Sequence, residues 1–188
     1  MPYITMITKL CEVINELNKK PIMIADAGSM YAAKASGMAE NFDVFTPDST
    51  EMAFLADSNA THPAYIAKHF FDNDITQTPK LVKIAYKNKD IAKLLLVKGS
   101  TDYIVLDGNI IDVVNKPDIP AMEAIGGTGD TITGLISALI YSGLDLKKAA
   151  LVAARSNRIA GEYAKANPAT KISQIIAQFS SAFQKLKL

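Results

Sequence analysis

The 188-residue sequence predicts an α/β domain with a largely parallel sheet flanked by helices. Three observations carry that reading. Short apolar runs (PIMIAD, FDVFTP, KLLLVKG) alternate with segments of helical period. The runs are apolar throughout rather than at every second residue, as in strands covered on both faces. Residues of chemical interest fall at the carboxyl ends of strands, where open α/β sheets bind ligands: Pro47 with Asp48, Lys98, and a glycine cluster near residue 127.

The elements follow in order. ITKLCEVINELNKK sets Ile7, Leu10, Ile14 and Leu17 on one helical face and closes on Lys19 and Lys20. PIMIAD is the first strand, AGSMYAAKASGM a small-residue helix, and FDVFTP a second strand closed by proline. DSTEMAFLAD opens as a capped helix, with Asp48 or Ser49 as the cap and Glu51 in the first turn. HPAYIAKHFFDND and PKLVKIAYKNKDIA read as helices, and KLLLVKG as the central strand. DYIVLDGNIIDVV is a hairpin around Asp107-Gly108-Asn109. A loop with Pro117 and Pro120 leads to the glycine cluster, and helices follow over about 128–142, 145–164 and 170–185. No repeat, low-complexity tract or linker interrupts the chain, so one domain over residues 1–188 is expected.

Composition narrows the function. The formal net charge is +1 with both signs scattered, which gives no footprint for nucleic acid or an anionic membrane. No apolar run reaches the roughly 18–20 residues that span a bilayer, and the first residues lack a basic segment followed by an apolar one. The single cysteine, Cys11, sits in an apolar helix and reads as a core residue in a reducing compartment. His62 and His69 have no second cysteine or acid cluster beside them, which argues against zinc. The expectation is a soluble cytoplasmic protein.

AIGGTGDTITG, residues 124–134, carries the chemistry. A helix N-terminus presents free N–H groups and partial positive charge. Glycines ahead of it let the chain curl so that several N–H groups converge on one anion. Gly127, Thr128 and Gly129 would supply them, and Asp130 would face the same spot from the first turn. A carboxylate there can take the proton of a hydroxyl attacking a phosphoryl group, while the hole stabilises the phosphoryl oxygens. The plain alternative is that Asp130 complements the helix dipole and the glycines permit close packing. No Lys-Ser or Lys-Thr follows the glycines, so this is not a Walker motif. Lys98-Gly99 sets a cation, or only a turn, at a strand end. Glu51 can organise Mg²⁺ through water or serve as a capping-box glutamate. Asn157 in AARSNRIAGEYA can bond a base or ribose, or lie exposed on its helix.

From VKGSTDYIVL to NRIAGEYA the chain resembles the ADP/ATP-dependent NAD(P)H-hydrate dehydratases of the ribokinase-like superfamily. The resemblance rests on Lys98-Gly99 with Asp102, Asn115-Lys116, Pro120 with Met122, and Gly126 through Asp130 with Gly134. Upstream, FTPDSTEMAFL resembles the family's Thr-Pro-x-x-x-Glu segment, and the likeness covers roughly residues 20–165. It implies phosphorylation of the ring hydroxyl of hydrated NADH or NADPH by ADP or ATP with Mg²⁺, then loss of phosphate. Asp130 carries over as the base and Gly127, Thr128 and Gly129 as the anion hole. Lys98, Gly99, Ser100 and Thr101, with Gly126 and Asn157, carry over as the nucleotide site. Asp48 is assigned to substrate and Glu51 to water-mediated Mg²⁺.

Three departures accompany the resemblance. The family has a further N-terminal part, with strands and a Gly-Pro-Gly loop, so a ribokinase-like fold truncated at its N-terminus is expected. Asp48 stands where many members have histidine and would repel phosphates unless Mg²⁺ intervened. The family's Asp-Ala-Asp-Ala strand end is Ala25-Asp26-Ala27-Gly28 here. A shortened sheet leaves an exposed edge, which predicts a homo-oligomer or a partner chain over that edge, unless the N-terminal helix covers it. Two other functions share these residues. One is a kinase of another small alcohol, a sugar or vitamin precursor. The other is a non-catalytic nucleotide-binding or structural subunit.

Overall fold

Five strands form one sheet in the order β1-β2-β3-β4-β5. They are Ile24–Ala25 (β1), Val44–Phe45 (β2), Leu94–Val97 (β3), Asp102–Leu106 (β4) and Asn109–Val114 (β5). The computed structural model describes residues 2–65 and 77–187. β1, β2 and β3 are parallel, with Ile24 opposite Val44 and Val44 opposite Leu94. β4 and β5 turn back through links too short for a crossover, so the sheet is mixed rather than wholly parallel. The Asp107-Gly108 turn between them has φ of 48° and 79°, the left-handed pair that a tight hairpin demands.

The chain folds as two compact units, Met1–Val97 with Val105–Ile110, and Lys98–Ile104 with Ile111–Leu188. In the first, strands are joined through helices Pro2–Asn15 (α1), Ala27–Ala35 (α2), Ser49–Ala56 (α3) and Thr78–Asn88 (α4). Its core is Val44, Phe45, Phe54 and the Leu94–Leu96 run, all essentially without solvent exposure. The apolar runs are therefore buried strands, as their lack of alternation predicts. α1 departs from the expected face. Ile7 and Cys11 are buried, but Leu10 and Leu17 are 45% and 48% exposed. Helical period gives the spacing of a face, and packing on α2 decides which face is covered. Burial raises the Cys11 thiol pKa, consistent with a core residue. The helix expected over HPAYIAKHFFDND begins with a turn at Pro63–Tyr65, and most of it, with His69, lies outside the described residues.

The second unit contains Thr128–Tyr141 (α5), Leu146–Tyr163 (α6), Ile172–Ile176 (α7) and Phe179–Leu186 (α8). The single helix expected over 170–185 is two. Ile175 and Ala182 both pack into the Met122, Ile125, Ile159 and Ala160 cluster, with Ile172 and Phe179 against it.

α3 is held at both ends by charge. Asp48 caps its N-terminus, accepting from the Glu51 N–H at 2.8 Å, while Glu51 accepts from the Asp48 N–H at 2.8 Å. At the other end the buried ammonium of Lys34 donates to the carbonyls of Phe54 and Asp57 and lies 4.2 Å from the Phe54 ring centroid. Burial pulls the Lys34 pKa down from 10.5 to about 8, with Asp90 and Asp57 opposing.

That lysine sets a pH test. Its folded pKa lies below its unfolded one, so between about 8 and 10.5 the unfolded chain binds the extra proton and stability rises with pH. Tyr31 and Tyr86, both pushed upward by burial, act in the opposite sense only above their ordinary value of 10. From pH 7 to 10 the free energy of unfolding should gain about 2 kcal/mol from Lys34. Urea titrations should show that gain missing in Lys34→Met. Equal slopes for the two proteins contradict the assignment.

Candidate active site at the N-terminus of helix α5

β3 delivers the chain to Lys98 after four fully buried residues. The turn that follows is shaped by one acid. Asp102 accepts from the Gly99 N–H at 3.1 Å and from Arg158 Nε at 2.7 Å, and the Asp102 and Arg158 side chains are both buried. The other guanidinium nitrogens donate to the carbonyls of Gly99 at 2.8 Å, Ser100 at 3.0 Å and Pro117 at 3.4 Å. With its carbonyls drawn inward to Arg158, the turn is fixed along its inner side. Gly99 and Ser100 remain exposed and Thr101 half-buried. Burial pushes the Asp102 carboxyl above the usual carboxylate value, while Arg158, the Gly99 N–H and Lys98 pull it back down. A 2.7 Å contact to guanidinium marks it as the ionised partner.

The glycine cluster is built for its conformation. Gly127 caps α5 with φ of 95°, and a Cβ there would stand 3.1 Å from Ile172 Cγ1. Both the backbone and the space therefore require glycine. The Thr128 hydroxyl donates to the carbonyls of Met122 and Ile125, and its N–H reaches the Ile125 carbonyl at 3.4 Å. Gly129 and Asp130 follow in the first turn, where N–H groups have no partner inside the helix. A Cβ on Gly129 would lie 3.2 Å from Lys98 Nζ. The Lys98 ammonium is thus laid against the start of α5, where the helix dipole alone would repel a cation. Gly126 has open space where a side chain would be. Asp130 is exposed and has no side-chain partner among the described residues.

The structure thus brings Lys98 against Gly129 of the Gly126–Asp130 segment, and ties Gly99 and Ser100, in the turn that runs on to Thr101, to Arg158, all within the second unit. Asn157 reaches the start of α5 with its side chain. It is buried, accepts from Thr131 Oγ1 at 2.9 Å and donates to the Thr128 carbonyl at 3.3 Å. It braces the first turn of α5. Asp48 and Glu51 belong to the other unit. There Glu51 is buried, with one oxygen on the Asp48 N–H and the other on the Tyr31 hydroxyl. Its capping role is filled, and any metal role would run through water. Among the described residues no three His, Cys, Asp or Glu side chains form a metal cage. A separate open cleft of about 610 Å³, lined by Lys116, Asp118, Arg155 and Glu162 among others, includes neither Asp130 nor Lys98.

Two supporting residues escape a reading of the sequence. Arg158 pairs with an acid 56 positions away, which no local pattern reveals. A faint signal exists, because it continues the buried series Ala150, Ala154 at helical spacing. Gly161 is the other, since a Cβ there would come within 2.0 Å of Met122 Sδ, in the turn that carries Thr128.

Removing the guanidinium leaves Asp102 buried without its counter-ion. Arg158→Met should therefore lose about 3–5 kcal/mol of stability in urea unfolding. Arg158→Met combined with Asp102→Leu should recover part of it, because no buried charge remains. A loss below about 1 kcal/mol in the single variant would contradict the clasp.

Comparison with known proteins places the chain in a family. The chain is 44% identical over 171 residues to an uncharacterized protein of Methanocaldococcus jannaschii, covering 91% of this chain and 74% of that one. It is 32% identical over 158 residues to the bifunctional NAD(P)H-hydrate repair enzyme Nnr of Pyrobaculum aerophilum, covering 82% of this chain and 28% of that enzyme. Among solved structures, a putative phosphomethylpyrimidine kinase from Bacteroides thetaiotaomicron superposes with a TM-score of 0.63 at 18% identity. That match covers 98% of this chain and 68% of the kinase, and the fold is ribokinase-like. No helix among the described residues is long and apolar enough to cross a membrane. The NAD(P)H-hydrate dehydratase family model matches residues 5–181. By that match, which spans most of its length, the chain belongs to the NAD(P)H-hydrate dehydratase family.

Proposed function

We propose that the protein repairs hydrated NADH or NADPH, using ADP or ATP to phosphorylate the ring hydroxyl and then eliminating phosphate. The observation that carries this is the meeting of Lys98 with the N-terminus of α5 beside an exposed Asp130. Family membership and kinase-like fold neighbours support it.

The residues divide the work as follows. The Lys98 ammonium and the free N–H groups of Gly129 and Asp130 hold the transferring phosphoryl group and its developing charge. Gly126 leaves room above them. The Gly99–Thr101 turn, fixed by Arg158, lines the nucleotide side. Mg²⁺, carried by the nucleotide, supplies charge neutralisation when bound. Asp130 removes the hydroxyl proton as the substrate oxygen attacks the terminal phosphorus. The new O–P bond forms as the bridging P–O bond breaks, releasing AMP from ADP or ADP from ATP. The ring carbon–oxygen bond then breaks with loss of phosphate, and a proton leaves the neighbouring ring carbon. That restores the double bond of the dihydronicotinamide.

A second reading keeps the same first step. The fold neighbour is named a kinase, and the Asp130 site would equally serve phosphorylation of another small alcohol that stops at the phosphate ester.

The test is a turnover assay on hydrated NADH with ADP or ATP, following the return of reduced-nicotinamide absorbance. Wild type should restore it only when nucleotide is present. Asp130→Asn should reduce the rate by about 10²–10⁴-fold, the usual worth of a positioned general base. Its thermal stability should match wild type, because Asp130 is exposed. Gly129→Ala should raise the nucleotide KM by crowding Lys98. Full turnover by Asp130→Asn would contradict the assigned base. Phosphate-ester accumulation without recovery of absorbance would favour the second reading.

A further inference from the structure

The Thr128 carbonyl and the Gly129 N–H belong to one peptide unit. That unit is planar and trans, so fixing the oxygen also fixes the N–H, which points the opposite way. The oxygen sits at the start of α5 and is held by two side chains. Asn157 Nδ2 donates to it from α6 at 3.3 Å. The Thr131 hydroxyl lies 2.7 Å from the same oxygen and 2.9 Å from Asn157 Oδ1. Its single proton serves one acceptor at a time, and either choice leaves the three groups joined. Asn157 is 4% exposed and Thr131 is half-buried, so water competes little for these bonds.

The N–H that this network aims is the one beside Lys98. A Cβ on Gly129 would stand 3.2 Å from Lys98 Nζ. Gly129 is the second residue of α5, so its N–H has no partner inside the helix. Hydrogen bonds received by a carbonyl also polarise its peptide and strengthen the N–H as a donor. Asn157 therefore acts on the Gly129 N–H twice, through direction and through strength. Packing of α6 needs no amide, since most of its buried residues are apolar. A buried amide is costly unless it is paired, and here its pairing is spent on the peptide next to Lys98.

We propose that Asn157, together with Thr131, is a positioning residue that aims the Gly129 N–H at the transferring phosphoryl group. This rests on the reading of the α5 start as the phosphoryl site, and it gives Asn157 no contact with substrate or nucleotide. The aimed bond strengthens as charge develops on the phosphoryl oxygens, so its contribution falls on the chemical step more than on binding.

Kinetics and amide resonances of the full chain test this together. Asn157→Leu should lower kcat for hydrated NADH by about 10- to 100-fold, less than deleting an oxyanion donor outright, because the N–H itself remains. The nucleotide KM should stay within about threefold, because Lys98 and the Gly99–Thr101 turn are untouched. Thr131→Val keeps the shape and loses the hydroxyl. It should lower kcat in the same sense, which carries the test should Asn157→Leu not fold, and Thr131→Ser should restore the rate. The second readout does not need the repair reaction. In wild type, saturating ADP with Mg²⁺ should displace the Gly129 amide resonance, and in Asn157→Leu that displacement should be much smaller. A wild type that leaves hydrated NADH unchanged yet gives both amide results sinks the repair reading and supports the role of Asn157. A Gly129 amide that ADP leaves unmoved in wild type, or moves equally in Asn157→Leu, overturns the proposal. So does an Asn157→Leu enzyme with wild-type kcat, or one whose loss lies in KM alone.

Discussion

The buried Asp102–Arg158 pair is the constraint from which the candidate site of the second unit is built. It ties the residues just after β3 to α6, the helix that also carries Asn157 and Gly161. Asn157 pins the first turn of α5, and Gly161 makes room for Met122, whose carbonyl receives the Thr128 hydroxyl. One helix thus holds both walls of the candidate site. Burying such a pair is costly unless its hydrogen-bonding capacity is filled. Here two backbone carbonyls and a third at longer range complete the guanidinium, and the Gly99 N–H completes the carboxylate. The pair adds little to net stability compared with a well-packed apolar core. Its contribution is to keep one turn geometry against the alternatives.

The same clasp places Lys98 beside the start of α5. Two sources of positive potential, the Lys98 ammonium and the start of α5, are set close enough that a Cβ on Gly129 would crowd the amine. Both contribute positive potential to that end of the helix. Asp130 stands exposed in the first turn of α5. An acid there would serve poorly as a permanent structural partner, because it lies in solvent and engages no side chain among the described residues.

Much of this is legible in the sequence because the determining physics is local. Continuous apolar runs give the strands, Asp107-Gly108 gives the hairpin, and Asp48 with Glu51 gives the cap of α3. The glycine cluster announces a helix start of unusual backbone freedom, and Gly127 has the positive φ that this freedom serves. What stays illegible depends on distant partners. Arg158 finds its acid 56 residues back, and Asn157 finds its hydroxyl 26 residues back. Both therefore look like ordinary polar residues of a helix. The exposed stripe of α1 is hidden for a related reason. Ile7, Leu10, Ile14 and Leu17 fit a helical period as well as Ile7, Cys11 and Ile14 do, and only packing separates the two faces.

The central claim is that Lys98 and the N-terminus of α5 form one working site for nucleotide phosphates. Thermal unfolding of the full chain with ADP, ATP and adenosine, each with and without Mg²⁺, tests it most directly. A ligand at about 100 times its Kd that binds only the folded state adds about 2.7 kcal/mol, or some 5–10 °C for a chain of this size. The account predicts that rise for ADP or ATP, dependent on Mg²⁺, and its absence for adenosine, which lacks phosphate. No rise with either nucleotide, or an equal rise with adenosine, would contradict it.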